Sequence, residues 1–212
     1  MPAVGDVTTE LERDLCMLEA AENDGCYAFR TWTTPRTTVV VGRAVEIKDE
    51  VRVGFCREQA IDVVRRPSGG RSVVVGKGTL QYAFALPYSL DPELATISGA
   101  KKFCNNILRD GLGRGDELSE DDSGDLVLDG RKVAGLALRR RRTALLLHGT
   151  ILVDADIELI ASALRHPVRE PDYRSGRAHA DFLTNLGSVD TGVLEHMVRS
   201  RLASTAGLQI AV

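Results

Sequence analysis

The sequence predicts an α/β (α+β) domain: a mixed β-sheet with helices packed on it. Three observations predict this. Short β-branched runs bounded by glycine recur along the chain. Segments with apolar residues at helical spacing separate several of them. An Asp-Gly pair between two apolar runs marks a hairpin. Elements that alternate irregularly around a hairpin argue against a doubly wound parallel sheet.

Taken in order, Thr8-Thr9-Glu10-Leu11 opens a helix, with Leu11, Leu15 and Leu18 on one face and Gly25 as its stop. Residues 27–32 alternate as a strand, and 37–41 form a β-branched strand ending at Gly42. Residues 46–60 are expected to be one helix, with Val51 and Phe55 facing inward. Strands follow at 61–65, 72–75 and 79–86, then a helix at 92–108 broken by Gly111, Gly113 and Gly115. The acidic stretch 117–125 reads as a solvated loop or, alternatively, a flap over a site. Residues 125–138 form the hairpin around Asp129-Gly130, and Arg139 to Arg142 form a four-arginine turn. A strand at 143–153, a helix at 156–164, a Pro- and Arg-rich loop at 165–177 and a helix at 189–203 complete the pattern. In that last helix Leu194, Val198 and Leu202 are in phase, and 208–212 are expected as an edge strand.

The 212 residues suit one domain, 1–212, with no C-terminal accessory domain. Apolar residues make up 43% and charged residues 27%, ordinary globular usage. A net charge of −3 supplies no global field for nucleic acid or an anionic membrane. Cys16, Cys26, Cys56 and Cys104 lack metal spacing and read as reduced, buried thiols. No run approaches the roughly 18 apolar residues of a membrane span, and the first ten residues lack a signal-like core. A soluble cytoplasmic protein is therefore expected.

The most informative stretch runs from Val63 through Arg65-Arg66-Pro67-Ser68-Gly69-Gly70-Arg71-Ser72 to Val75. Two strands flank a tight loop loaded with guanidinium groups. Gly69 and Gly70 allow φ > 0 and a close approach of backbone to ligand. Successive N–H groups in such a turn can form an anion nest, and neighbouring arginines can grip a phosphate or carboxylate. The loop thus predicts a site for an anionic small molecule.

Lys132 lies on the second hairpin strand, before the small residues Ala134 and Gly135. It reads either as edge decoration or as a charge aimed into a cleft. His148, among Leu145-Leu146-Leu147 and Gly149, reads first as a hydrogen-bonded core histidine. The arginine turn is expected to be solvated or to dock an acidic partner. No metal cluster, nucleophile elbow, Walker loop or dinucleotide fingerprint is present in the sequence.

Three stretches together resemble the lipoate–protein ligase family, within the biotin/lipoate ligase and octanoyltransferase superfamily. Arg65 to Val73 is similar to its R-R-x-S-G-G-G-A-V signature. Asp125-Leu126-Val127 with Gly130-Arg131-Lys132-Val133-Ala134-Gly135 is similar to D-L-V…G-R-K-[IV]-[AS]-G. His148-Gly149-Thr150-Ile151-Leu152 is similar to H-G-T-L-L, and Thr38 to Arg43 fits a V-V-x-G-R turn. They occur in the family's order.

The resemblance implies a biotin/lipoate ligase catalytic-domain fold and a two-step reaction. Lipoate or a related acyl acid reacts with ATP, with Mg2+ as counter-ion, to form an acyl-adenylate. The acyl group then passes to a lysine of a lipoyl-domain acceptor protein. By the same resemblance, Arg66 and Arg71, Ser72, Val73 and Val74 line the adenylate site, and Ser68, Gly69 and Gly70 wrap it. Gly135, His148, Gly149 and Thr150 complete the substrate and nucleotide site, and Lys132 contacts the acyl carbonyl and the α-phosphate. A fixed cation there stabilises charge that develops on phosphoryl and acyl oxygens.

The chain departs from the family pattern at Arg71 and Ser72, where Gly and Ala are preferred. It departs also at Val75, often His, and at Gly124, commonly Asn. A separate subunit is one source of the accessory function of longer ligases. Two alternatives stand beside the ligase. An octanoyltransferase working from acyl carrier protein needs a thiol in the second half of the chain, which holds none, and Val168 stands near the expected position. A non-catalytic lipoyl-binding or scaffold subunit is the other.

Overall fold

The structure, a computed structural model, describes residues 2–210. Strand β1 (Ala3–Val4) leads into helix α1 (Val7–Asp24). The Asp6 carboxylate caps α1 by accepting from the Thr8 and Thr9 N–H groups at 2.9 and 3.4 Å, and Gly25 closes it at φ 68°. Strands β2 (Ala28–Thr33) and β3 (Thr38–Val41) follow, then the short helices α2 (Ile47–Glu50) and α3 (Val53–Glu58). Next come β4 (Asp62–Arg65), β5 (Val73–Val75) and β6 (Thr79–Pro87). After two short 3-10 turns, helix α4 (Ile97–Gly111) leads to β7 (Ser119–Glu120), β8 (Leu126–Leu128), β9 (Arg131–Arg140) and β10 (Ala144–Leu152). Helices α5 (Ile157–Ala163), α6 (His179–Phe182) and α7 (Thr191–Ile210) end the described chain.

The strands form two sheets. The larger has the order β1-β2-β6-β10-β9-β8-β7 and the smaller the order β4-β3-β5. In the large sheet β6 and β10 are antiparallel centre strands, with His148 opposite Ala83 and Thr150 opposite Gln81. The β9 register continues the rows, pairing His148 with Ala137 and Thr150 with Gly135. Alternation along β6 sends Tyr82, Phe84 and Leu86 to one face, where they join Leu108, Leu194 and Val198 from α4 and α7. The opposite face carries Ala83 and Ala85 against Leu18 and Ala21 of α1. Val7 and Leu11 of α1, Trp32 of β2, and Val40 and Val75 of the small sheet form the seam between the sheets. On the far side of the small sheet, Val39 and Val41 pack with Cys56, Ile160 and Phe182.

Several expected elements differ in detail. The helix expected over 46–60 is two helices separated at Val51, which is buried and bridges to Leu164, while the Arg52 N–H donates to Ala163. That tertiary pairing overrides the helical spacing. The helix expected from residue 92 begins with a 3-10 turn and starts anew at Thr96, whose side chain caps Gly99 N–H at 3.0 Å. Within 117–125, Ser119 and Glu120 pair with β8. Arg139 and Arg140 belong to β9, so only Arg141 and Arg142 turn, and Arg141 is held by Glu19 and Glu22 of α1. The edge strand expected over 208–212 is instead the end of α7 as far as Ile210, and residues 211–212 lie outside the described residues. Cys56 and Cys104 are buried as expected, but Cys16 and Cys26 are exposed. Among the described residues no helix is long and apolar enough to cross a membrane.

Candidate active site

One cavity of about 210 Å³ lies between the two sheets and the segment after α5. The expected residues Arg66, Arg71, Ser72, Val73, Val74, Lys132, Gly135, His148, Gly149 and Thr150 all line it. The two signature stretches, far apart in sequence, thus face one space. Ser68, Gly69 and Gly70 lie in the loop behind it rather than on its wall.

The loop is built around Arg66, only 6% exposed. Its Nε donates to Ser68 Oγ at 3.0 Å and to the Gly69 carbonyl at 3.2 Å. Its terminal nitrogens donate to the carbonyls of Val40, Gly69 and Arg71 at 3.2, 2.6 and 2.7 Å. Burial pushes the guanidinium pKa down to about 10, against the opposing pull of Glu50, so the group still carries its charge at neutral pH. Arg66 therefore organises the loop backbone, where the sequence suggested a direct grip on a ligand. Arg65 does likewise outside, donating to the carbonyls of Gly42, Arg43 and Val45. Gly70 sits at φ 83°, and a methyl on Gly42 would stand 2.0 Å from the Gly70 carbonyl oxygen, so the two turns close on each other only as glycines.

The expected anion nest is only partly available. Gly69 N–H donates to Leu138 of β9 and Ser72 N–H to Glu50. Buried Glu50 also takes the Ser72 hydroxyl and the Arg71 guanidinium, at 2.7 and 2.6 Å. Arg71 and Ser72, where the signature prefers smaller residues, are the partners of this one carboxylate.

His148 joins the loop to α1. Its Nδ1 lies 3.0 Å from Asp14 Oδ2 and its Nε2 2.6 Å from Ser68 Oγ. A carboxylate only accepts, so Nδ1 bears a proton toward Asp14, and Nε2 meets the Ser68 hydroxyl. Asp14 and Glu10 both pair with Arg30. The Ser-His-Asp order has the look of a nucleophilic triad, yet Ser68 is fully buried and its oxygen accepts from Arg66 Nε. Its geometry positions Arg66 rather than presenting a nucleophile. Thr150 Oγ1 donates to Gln81 at 2.5 Å on the neighbouring strand.

Lys132 is the cation on the other wall. Its Nζ is 2.8 Å from Asp125 Oδ1, with the lysine side chain 28% exposed. A methyl on Gly135 would stand 2.6 Å from that Nζ, so glycine makes room for the lysine to fold across its own strand. A methyl on Gly149 would collide with the Tyr82 hydroxyl and the Gly135 carbonyl. The second oxygen of Asp125 accepts from Tyr173 at 3.1 Å, which ties the 165–177 segment to the lysine's partner.

That segment supplies residues the sequence did not single out. Arg174 is buried, stacks on Phe182 at 4.7 Å and donates through Nε to the Arg177 carbonyl. One of its terminal nitrogens is buried with no hydrogen-bond partner among the described residues. His179 lines the same wall. Its pKa is pushed down to about 4, first by burial and then by Arg174, His166, Lys132 and Arg52. The only signal in the sequence was the density of arginines just upstream.

The three cavity carboxylates are already engaged: Asp14 by His148 and Arg30, Glu50 by Arg71 and Ser72, Asp125 by Lys132 and Tyr173. Among the described residues no group of three metal-ligating side chains occurs. This donor set does not fit a protein-held magnesium ion. None of the four cysteines lines the cavity.

Lys132, Arg66, Arg71 and apolar strand residues thus line one cavity at the junction of the two sheets of this α/β domain. The profile of the lipoyl protein ligase A/B catalytic domain matches residues 6–202, and the chain belongs to that family. The chain is 28% identical over 194 residues to octanoyltransferase LipM of Carboxydothermus hydrogenoformans, covering 81% of this chain and 68% of that protein. It is 29% identical over 128 residues to lipoate-protein ligase LplJ of Bacillus subtilis, covering 60% of this chain but only 38% of that protein. The fold matches that of lipoate-protein ligase A bound with ATP, with a TM-score of 0.78 over 98% of this chain and 83% of that chain, at 17% identity.

Proposed function

We propose that this chain transfers a medium-length acyl group, lipoyl or octanoyl, to a lysine of a lipoyl-domain acceptor, through an acyl-adenylate made from ATP. The observation that carries the ligase form is the lining of the cavity: Lys132, Arg66, Arg71 and Arg174 line it, and no cysteine does. A mixed anhydride needs cations at its phosphate and acyl oxygens. A thioester relay needs a cysteine.

In this reading the acyl chain lies along the apolar seam of Leu11, Trp32, Val40 and Val75. Lys132 releases Asp125 and turns to the acyl carbonyl and the phosphoryl oxygens. The loop held by Arg66 keeps Val73 and Val74 in place along the nucleotide side. Magnesium, which the protein's carboxylates do not accommodate, travels with the nucleotide.

A second reading, octanoyl transfer from an acyl carrier, draws on the longer match to the LipM octanoyltransferase. Mass spectrometry of a lipoyl domain separates the two. Incubation with Mg-ATP and octanoate or lipoate is expected to add one acyl group. Modification that requires octanoyl carrier protein and proceeds without ATP overturns the ligase form.

A further inference from the structure

We infer that His179 is the proton acceptor for the incoming acceptor lysine, an inference that rests on the acyl-transfer reading above. The acceptor arrives as an ammonium and must lose its proton before, or as, nitrogen attacks the acyl carbon. Asp14 and Glu50 stay paired with Arg30 and Arg71, Asp125 keeps the Tyr173 hydroxyl when Lys132 leaves it, and His148 is spent on Ser68 and Asp14. His179 is the remaining imidazole on the cavity wall, and among the described residues its ring makes no hydrogen bond.

Its placement relative to Lys132 is fixed by backbone. Leu183 bridges Lys132 in parallel, and Thr184 N–H donates to the Lys132 carbonyl at 2.9 Å. Leu183 N–H in turn donates to the His179 carbonyl at 2.9 Å, and Arg131 Nη2 donates to Ala180 at 2.8 Å. The short helix that carries the imidazole is thus sewn to the strand that carries the lysine.

The surroundings supply the chemistry. The field at His179 comes from Arg174 in the 165–177 segment, His166 after α5, Lys132 on β9 and Arg52 between α2 and α3. Burial first, and then this positive field, keeps the ring neutral in the free protein, and the field also disfavours the ammonium form of an arriving amine. A bound acyl phosphate offsets part of that field, so the imidazole is more basic with an anhydride beside it than without one. The ammonium first gives one proton to solvent; the neutral lysine nitrogen then bonds to the acyl carbon, the second proton, now on the attacking nitrogen, passes to His179, and the carbon–oxygen bond to phosphate breaks with its electrons leaving on the nucleotide. The ring returns its proton to solvent.

The test compares two nucleophiles on the same activated acyl group. Hydroxylamine, neutral at pH 7, needs no base and reports activation; the lipoyl-domain lysine needs both. For His179→Gln, the ratio of lysine transfer to hydroxamate formation is expected to fall about 10²–10⁴-fold, and in His179→Ala added imidazole is expected to restore part of it. An unchanged ratio, or equal loss of both products without imidazole rescue, overturns the assignment. No hydroxamate from the wild-type protein with either ATP and octanoate or octanoyl carrier overturns the acyl-transfer reading itself, and the inference with it.

Discussion

At the scale of single residues, Arg66 and Lys132 carry similar charge to opposite ends. Arg66 spends its donors on three backbone carbonyls and the Ser68 hydroxyl. Its replacement by alanine leaves buried acceptors bare, and each bond to a charged group is worth about 1.5–3 kcal/mol. Arg66→Ala is therefore expected to destabilise the fold by at least about 3 kcal/mol, read by denaturant unfolding. A loss below about 1 kcal/mol would mean the loop holds without it. Gly135→Ala acts on the lysine alone: the new methyl must displace Nζ, so transfer should drop about 10²-fold with unfolding nearly unchanged. Full activity in that variant would place the working amine elsewhere. His179 adds a pH signature. Its folded pKa of about 4 lies below the ordinary 6.5, so the unfolded chain binds more protons between those values. Stability should fall as pH drops from 6.5 toward 4, and His179→Gln should flatten that slope in urea titrations at stepped pH.

At the scale of elements, the docking of the 165–177 segment hangs on Tyr173 and Asp125. Tyr173→Phe removes that bond, and amide exchange across the segment should quicken while α1 and β10 stay protected. Exchange rates equal to wild type would show that packing of Tyr173 on Phe182, centroids 5.0 Å apart, suffices. Most elements were legible in the sequence because their signals are local. Asp129 and Gly130, at φ 49° and 72°, make the tight turn that an Asp-Gly pair encodes. Gly25 ends α1 in the left-handed region as its position suggests. The break at Val51 was not legible, since its cause is Leu164, more than a hundred residues on. The short α6 has too few residues for a periodic signal.

At the scale of the molecule, the sequence signalled a mixed sheet but not its division into seven and three strands. Pairing order is a long-range property, and β-branched runs do not name their neighbours. The same limit applied to the site. Lys132, the Gly loop and the His148 strand could be read from local motifs, and the cavity unites them. Asp14, Glu50, Tyr173 and Arg174 could not, because each matters only through a contact distant in the chain. The two-sheet arrangement creates the cavity: the seam of α1, β2 and the small sheet gives it an apolar side, and β9 with the 165–177 segment gives it a cationic one.

In the proposed reaction Lys132 acts in this cavity on an activated acyl group. The most direct measurement is the single-turnover rate of acyl transfer to a lipoyl domain, compared between wild type and Lys132→Ala at matched folding. The expected result is a fall of about 10²–10³-fold with an unchanged unfolding midpoint. Near-normal turnover by Lys132→Ala contradicts it.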